Sequence, residues 1–470
     1  MSPTEEKSIS PLSVHLVTRV MEQMKIQIDG LLHRNSALEA ENRALGNRCK
    51  SLEQSIEVLS KDIDWKYSAP SIPRSYWLEQ GFDDEYATEA MSFIEYLKDD
   101  AEEARNDADA MMEVVEIGAS LPEGMILRYD DALLPHFAEL ADAIRINPNI
   151  VTLHLWQIEL NPSVIQVLLS ATRHNENIDD IGFFNVRISD DEECILSLDD
   201  FVSTLPSLRS LLWRRDGRES TRITSMLAGT AVRCESIRNF DLIKCFRGEE
   251  RAAVGMDILA SILTSGKQLR CVHFGGNDLS GIVPICDALA DNPPITMLDL
   301  RDNLLDDEDA TSIAEALASN VTLRRLFLGK NRFTDAGKRV LISAVHDSSD
   351  LNTLSRCNHT CRISDIDDER GINAQENVSE FSDWQFNRGI KIYDEISEQC
   401  SENNVALLLD KELGESSILL LPKVLELVQT YSFDVSSRKG SGSHPIQSPL
   451  SIYFDLLKTW KMPEIFERKM

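Results

Sequence analysis

LRCVHFGGNDL (residues 269–279), ITMLDLRDNLL (295–305) and LRRLFLGKNRF (323–333) carry one pattern: apolar residues at positions 1, 4, 6 and 11, and Asn at position 9. Weaker copies are IVTLHLWQIEL (150–160), IDDIGFFNVRI (178–188), LRSLLWRRDGR (208–218) and IRNFDLIKCFR (237–247). A degenerate eighth, LNTLSRCNHTC, starts at Leu351, and successive starts lie 26 to 32 residues apart. The alternating stretch at positions 3 to 7 suits a short strand, because alternate side chains share a face. Segments between the copies, such as DDEDATSIAEALAS (306–319) and TDAGKRVLISAVHD (334–347), have helical periodicity. Each unit is therefore a strand, a loop and a helix, and the apolar positions of successive units stack into one continuous core.

The helix-to-strand junctions repeat as well: LADAIRINPNIVTL (140–153), LLSATRHNENIDDI (168–181), ICDALADNPPITML (285–298) and IAEALASNVTLRRL (313–326). They place Asn147, Asn175, Asn292 and Asn320 in equivalent positions. Asn tolerates the left-handed conformation that ends a helix, so that conformation is expected at all four. Asn277, Asn303 and Asn331 occupy position 9, where a side-chain amide can satisfy backbone groups of the turn between units.

The pattern is that of leucine-rich repeats, and residues 125–361 resemble the ribonuclease-inhibitor-like class, which has long repeats with a helix on the convex side. The resemblance implies an α/β solenoid with a parallel concave sheet that binds other proteins. On that reading positions 3, 5, 7 and 8 face the concave side. The columns offer Thr152, His154, Trp156 and Gln157, Phe184 and Asn185, Arg214 and Arg215, Asp241 and Lys244, His273, Asp299 and Arg301, and Arg325 and Phe327. Aromatic and arginine side chains are the usual anchors of protein interfaces. Arg209, Arg214, Arg215, Arg218 and Arg222 would form a cationic island, and the surface from Trp156 to Lys244 is the expected principal site.

Residues 14–63 carry a heptad, and a coiled coil is expected over residues 12–66. Val17, Met24, Leu31, Leu38, Leu45, Leu52 and Leu59 fall at d, and Val14, Met21, Ile28, Asn35, Asn42, Cys49, Ile56 and Ile63 at a. A sustained seven-residue repeat is the coiled-coil condition, and Asn at a favours a parallel pair in fixed register. A homodimer is expected, with a single helix folding back on its own chain as the alternative. The stretch resembles the leucine zipper of basic-zipper transcription factors, but no basic region precedes it, so DNA reading is not expected.

Charge is unevenly spread. The chain of 470 residues has a formal net charge of −30, and residues 76–131 hold 17 acids against Lys98, Arg105 and Arg128. Such a balance opposes nucleic-acid and anionic-membrane binding through bulk charge. Met91, Ile94, Leu97, Met111, Met112 and Val115 fit one or two amphipathic helices in an acidic connector, residues 67–124. Residues 1–11 read as a disordered tail, 362–387 as an acidic linker, and 388–470 as a helical region with a flexible loop at 436–448. The order of repeats, acidic linker and a helical end carrying TWKMPE (459–464) resembles uncharacterised algal leucine-rich repeat proteins.

Nine scattered cysteines and an N-terminus without an apolar signal region predict reduced thiols in a cytoplasmic or nuclear protein. No phosphate-binding loop, GxSxG or HExxH motif occurs. Cys357, His359 and Cys361 have no second ligand pair at zinc spacing and read as part of a capping repeat. The expectation is a non-enzymatic scaffold with no metal, cofactor, small-molecule substrate, nucleic acid or membrane partner. Two alternatives are GTPase regulation, by resemblance to GTPase-activating members of the repeat class, and a zipper-type transcriptional co-regulator.

Overall fold

The computed structural model describes residues 50, 65–106, 112–205, 207–215, 221–366, 387–389 and 391–395. The heptad residues Ile28, Leu31, Asn35, Leu38, Asn42, Leu45, Cys49, Leu52, Ile56 and Leu59 lie outside the described residues, as do Met111 and Arg218.

Strands and helices alternate. The strands are β1 (Val114–Ile117), β2 (Thr152–Trp156), β3 (Glu159–Leu160), β4 (Asp180–Phe184), β5 (Arg187–Ile188), β6 (Ser210–Arg214), β7 (Asn239–Ile243), β8 (Cys271–His273), β9 (Met297–Asp299), β10 (Arg325–Phe327) and β11 (Arg362–Ser364). All but β3 and β5, which pair with each other, form one sheet in the order β1-β2-β4-β6-β7-β8-β9-β10-β11, with every pairing parallel. Helices Asp84–Asn106, Leu134–Ile146, Pro162–Thr172, Glu192–Thr204, Thr221–Arg233, Glu249–Thr264, Val283–Ala290, Asp307–Ser319 and Asp335–Val345 pack in succession along one side of it. Strands sit about 4.8 Å apart and packed helices about 8–10 Å apart, so the stack curves with the sheet inside. Among the described residues no helix is long and apolar enough to cross a membrane.

Position 4 of each unit builds the centre of the core. Leu153, Ile181, Leu211, Phe240, Val272, Leu298 and Leu326 lie side by side across the sheet, with Val115 and Ile363 at its ends, and all are buried. Each contributes roughly 1.5–3 kcal/mol of burial. Helix starts are written in the sequence: Asn161 accepts from Val164 N ahead of Pro162, Asp191 from Cys194 N, and Asp306 forms a capping box with Asp309.

The position-9 asparagines act as expected. Asn277 donates to Leu242 O and Phe274 O while accepting from Cys245 N and Phe246 N. Asn303 donates to Phe274 O and Leu300 O and accepts from Asn277 N and Leu279 N. Asn331 donates to Leu300 O and Leu328 O and accepts from Leu305 N.

The junction asparagines differ from expectation. Asn147 and Asn320 are extended, at φ −86° and −80°, and only Asn292 is left-handed, at φ 59°. The reason for Asn there is its side chain. Asn175 donates to Ile144 O and Asn147 O, Asn147 to Ala104 O, and Asn320 to Leu289 O. Their carbonyls accept the N–H of Asn177, Asn149 and Leu323. One amide thus ties each helix end to the previous unit and to the following strand, and Asn358 repeats the arrangement on Leu317 O and Asn320 O.

Both ends of the repeat region move. The expected connector is the first unit of the stack: helix Asp84–Asn106 packs on Leu134–Ile146, and β1 pairs with β2 ahead of the expected boundary at 125. Val115 is a strand residue of that unit and not part of a connector helix. The stretch starting at Leu351 is a short helix, Leu351–Arg356, capped by Asp350, and the closing strand is β11, just past the expected end at 361. Residues 387–389 and 391–395 then dock on this end. Asn387 donates to His359 O, and Lys391, 3% exposed, donates to Val345 O and Asn358 O.

Candidate functional site

The sheet face turned away from the helices carries three rows of side chains, set by strand register. The middle row runs Glu116, His154, Gly182, Leu212, Asp241, His273, Asp299, Phe327, Ser364. Trp156, Phe184 and Arg214 lie in the row beside it. His154, Trp156, Phe184, Arg214, Asp241, His273, Asp299, Arg301, Arg325 and Phe327 all lie on this face.

Within it a chain of contacts joins seven of these residues in an order that reads alike from either end. Arg214 sits over the ring of Phe184, 5.3 Å from its centroid, and donates to Asp241 at 2.8 Å. His273 lies between Asp241, at 4.0 Å, and Asp299, at 3.3 Å. Arg301 donates to both oxygens of Asp299 through Nε, and its guanidinium lies 5.1 Å from the centroid of Phe327. Aromatic, arginine, aspartate, histidine, aspartate, arginine, aromatic is the sequence across the strands.

Electrostatics follow from this order. Burial pushes the Asp299 carboxyl up, but hydrogen bonds from His273 and Arg301 outweigh it and hold the group well below the usual carboxylate range. Burial alone would lower His273, yet the hydrogen bond to Asp299 and the charges of Asp241 and Asp299 raise it above an ordinary imidazole. The hydrogen bond to Asp299 raises Arg301. Asp241 and Asp299 are 5% and 3% exposed, so the cations that cover them neutralise the middle of the face.

The end near β1 is aromatic. Trp156 stacks on Phe184 with centroids 3.8 Å apart and planes 8° from parallel, and His154 meets Phe184 edge-on at 5.1 Å. His154 is itself bracketed by Asp180 at 3.1 Å and Glu116 at 3.6 Å. Gly182 makes room for this cluster, since a Cβ there would lie 2.5 Å from Phe184 Cε2 and 2.7 Å from His154 Cδ2. The Asp84–Asn106 helix belongs to the helix layer, and Trp156 remains half-buried.

Arg215 is the residue whose expected placement fails. Position 8 is left-handed in the other well-formed units, with φ between 51° and 71° at Gln157, Asn185, Lys244, Gly276, Asp302 and Lys330. Arg215 lacks that turn, so strand alternation continues and its side chain joins Trp213 on the helix side, 5.2 Å from the ring centroid. It is 8% exposed there, and burial lowers its pKa to about 10. Lys244 sits past the end of β7 and is exposed. The expected cationic island is dispersed: Arg209 lies 3.9 Å from Asp179, Arg222 pairs with Glu192, and Arg214 is committed to Asp241. Glu116 and Asp180 were not anticipated. Asp180 stands at an inward position 3 and was legible there, whereas Glu116 sits on a strand with no repeat leucines.

No protein-family model matches the chain. It is 26% identical over 162 residues to the mouse (Mus musculus) NACHT, LRR and PYD domains-containing protein 4C, a match covering 31% of this chain and 16% of that protein. It is 28% identical over 211 residues to the mouse NACHT, LRR and PYD domains-containing protein 4E, covering 40% and 21% respectively. The chain thus spans about a fifth or less of the length of these curated relatives. The similarity and the long parallel sheet with its alternating helices agree on a coarse statement: the chain carries leucine-rich-type repeats stacked as a solenoid.

Proposed function

We propose that this chain is a non-enzymatic protein-binding scaffold that holds a protein partner on the open face of its sheet. The observation that supports this most is the spacing of the aromatic ends. Trp156 on β2 and Phe327 on β10 are both half-buried and six strand steps apart, roughly 29 Å at about 4.8 Å per step. A protein surface spans such a distance, whereas a small ligand does not. Between them the charges are satisfied within the face, so the aromatic ends supply the anchoring and the Arg–Asp–His–Asp–Arg row supplies register.

The repeat length of 26 to 32 residues, with a helix in most units, favours the ribonuclease-inhibitor-like class. The heptad of residues 14–63 favours a parallel homodimer that carries one solenoid per chain. Replacing Trp156 and Arg214 with Ala tests the binding face: both changes together should abolish capture of a protein partner, and unchanged capture sinks the assignment. Light scattering of the full chain at micromolar concentration tests the pairing, where a monomer mass would contradict it.

A further inference from the structure

The entry edge of the sheet carries a second row, distinct from the open face. It is formed by the residue at position 2 of each unit, immediately before the strand. Backbone hydrogen bonds place these residues side by side: Asp179 N donates to Val151 O, Arg209 N to Asp179 O, Arg238 N to Arg209 O, Arg270 N to Arg238 O, Thr296 N to Arg270 O and Arg324 N to Thr296 O. The rim therefore changes from Asp179 to arginine at β6 and reads Arg209, Arg238, Arg270, Thr296, Arg324. On a chain of net charge −30 this is a local reversal of sign.

Arg209, Arg270 and Arg324 are exposed, and Arg238 is partly buried. The Arg209 side chain is 71% exposed and makes a long ion pair with Asp179 at 3.9 Å. Arg238 donates to two backbone carbonyls, Glu235 O and Ile237 O. Arg270 is exposed and has no carboxylate partner among the described residues, and Arg324 is exposed. The row spans four strand steps, roughly 19 Å, which matches about six residues of extended polypeptide. Arginine forks bind carboxylates in pairs, so the matching ligand is a line of carboxylates.

We propose that this rim docks an extended acidic polypeptide segment, independently of the open face. A nucleic acid fits less well. Single strands are held by basic grooves with aromatic platforms, and the neighbouring residues on the open face are Ser210, Asn239, Cys271, Met297 and Arg325, none of them aromatic. A duplex needs a broad basic surface, and behind Arg209, Arg238, Arg270 and Thr296 the next residues, Ser210, Asn239, Cys271 and Met297, are uncharged.

The test is fluorescence anisotropy of a fluorescein-labelled decaglutamate peptide with the full chain at low salt. The expected result is saturable binding that weakens as salt rises. Each single Arg→Ala change should weaken it about two- to fivefold. Arg209→Ala, Arg238→Ala, Arg270→Ala and Arg324→Ala combined should weaken it at least about tenfold. Arg270→Glu, at an exposed position with little bearing on folding, should weaken it more than Arg270→Ala, while Trp156→Ala should leave it unchanged. Undetectable binding to the natural chain overturns the proposal. Equal binding by the quadruple variant does so too, as does tighter binding of a 20-residue oligothymidylate than of the peptide.

Discussion

Removing the amide of Asn303 perturbs the ladder that joins consecutive turns. The side chain is 3% exposed, accepts from Asn277 N at 2.9 Å and Leu279 N at 3.1 Å, and donates to Phe274 O and Leu300 O. Asn303→Ala leaves two buried N–H groups without an acceptor, at roughly 1–3 kcal/mol each, and takes a donor from three carbonyls, those of Phe274, Leu300 and Arg301. The expected loss is about 3–5 kcal/mol. With a urea slope of about 3 kcal/mol/M the unfolding midpoint should fall by roughly 1–1.7 M. Asn331→Ala is the internal comparison. That amide is half-buried and accepts only from Leu305 N at 3.2 Å, so its loss should be about half as large. Asn277 and Asn303 share a hydrogen bond, so their double variant should cost less than the two single losses added. Circular dichroism through a urea titration reads all of these. An Asn303→Ala midpoint at or above that of Asn331→Ala would refute the reasoning.

Other perturbations follow from the same contacts. Gly182→Ala should splay the Trp156–Phe184 stack, shift the tryptophan emission and cost roughly 1–3 kcal/mol; an unchanged emission spectrum counts against the packing described. His273 has a folded pKa raised above its unfolded value, so its contribution is full below about pH 6.5 and is lost as pH rises through the folded value. The stability gap between the natural chain and His273→Gln, from urea titrations at pH 5.5 and 8.5, should therefore be wider at pH 5.5, and equal gaps would contradict this. Lys391 shows the opposite shift: burial lowers it to about 8, so the unfolded chain binds the extra proton between about pH 8 and 10.5. Relative to Lys391→Met, the natural chain should gain up to about 3 kcal/mol across that window, and a flat difference would mean Lys391 is not buried against Val345 and Asn358.

Much of this architecture can be read from residue order, and the failures have physical causes. The three strong units announce themselves because one set of positions must be apolar for stacking, and Asn must be at position 9 to serve both sides of a turn. At Leu351 the spacing misleads, since Leu351 and Leu354 satisfy positions 1 and 4 of a strand motif and also the i, i+3 spacing of a helix. Asp350, accepting from Thr353 N, settles that contest in favour of the helix. The first strand, VVEI at 114–117, gives no signal because it lies at the end of the stack, where the leucine pattern lapses. The open-face columns were legible through strand alternation. Arg215 was not, because its side depends on a left-handed turn that every other well-formed unit makes and this one omits. The pairing of Arg214 and Arg301 with buried aspartates was also hidden, since it joins residues on different repeats, or a strand and the turn after it.

The proposed seat of a protein partner is the open face of the sheet and not the helices. Site-specific photocrosslinking tests it directly, with benzoylphenylalanine placed at Phe327 or Trp156 and, as a control, at Leu196, which is 59% exposed on the Glu192–Thr204 helix. The expected result is light-dependent protein adducts from Phe327 and Trp156 and none from Leu196. Adducts from Leu196 with none from the two aromatic positions would contradict it.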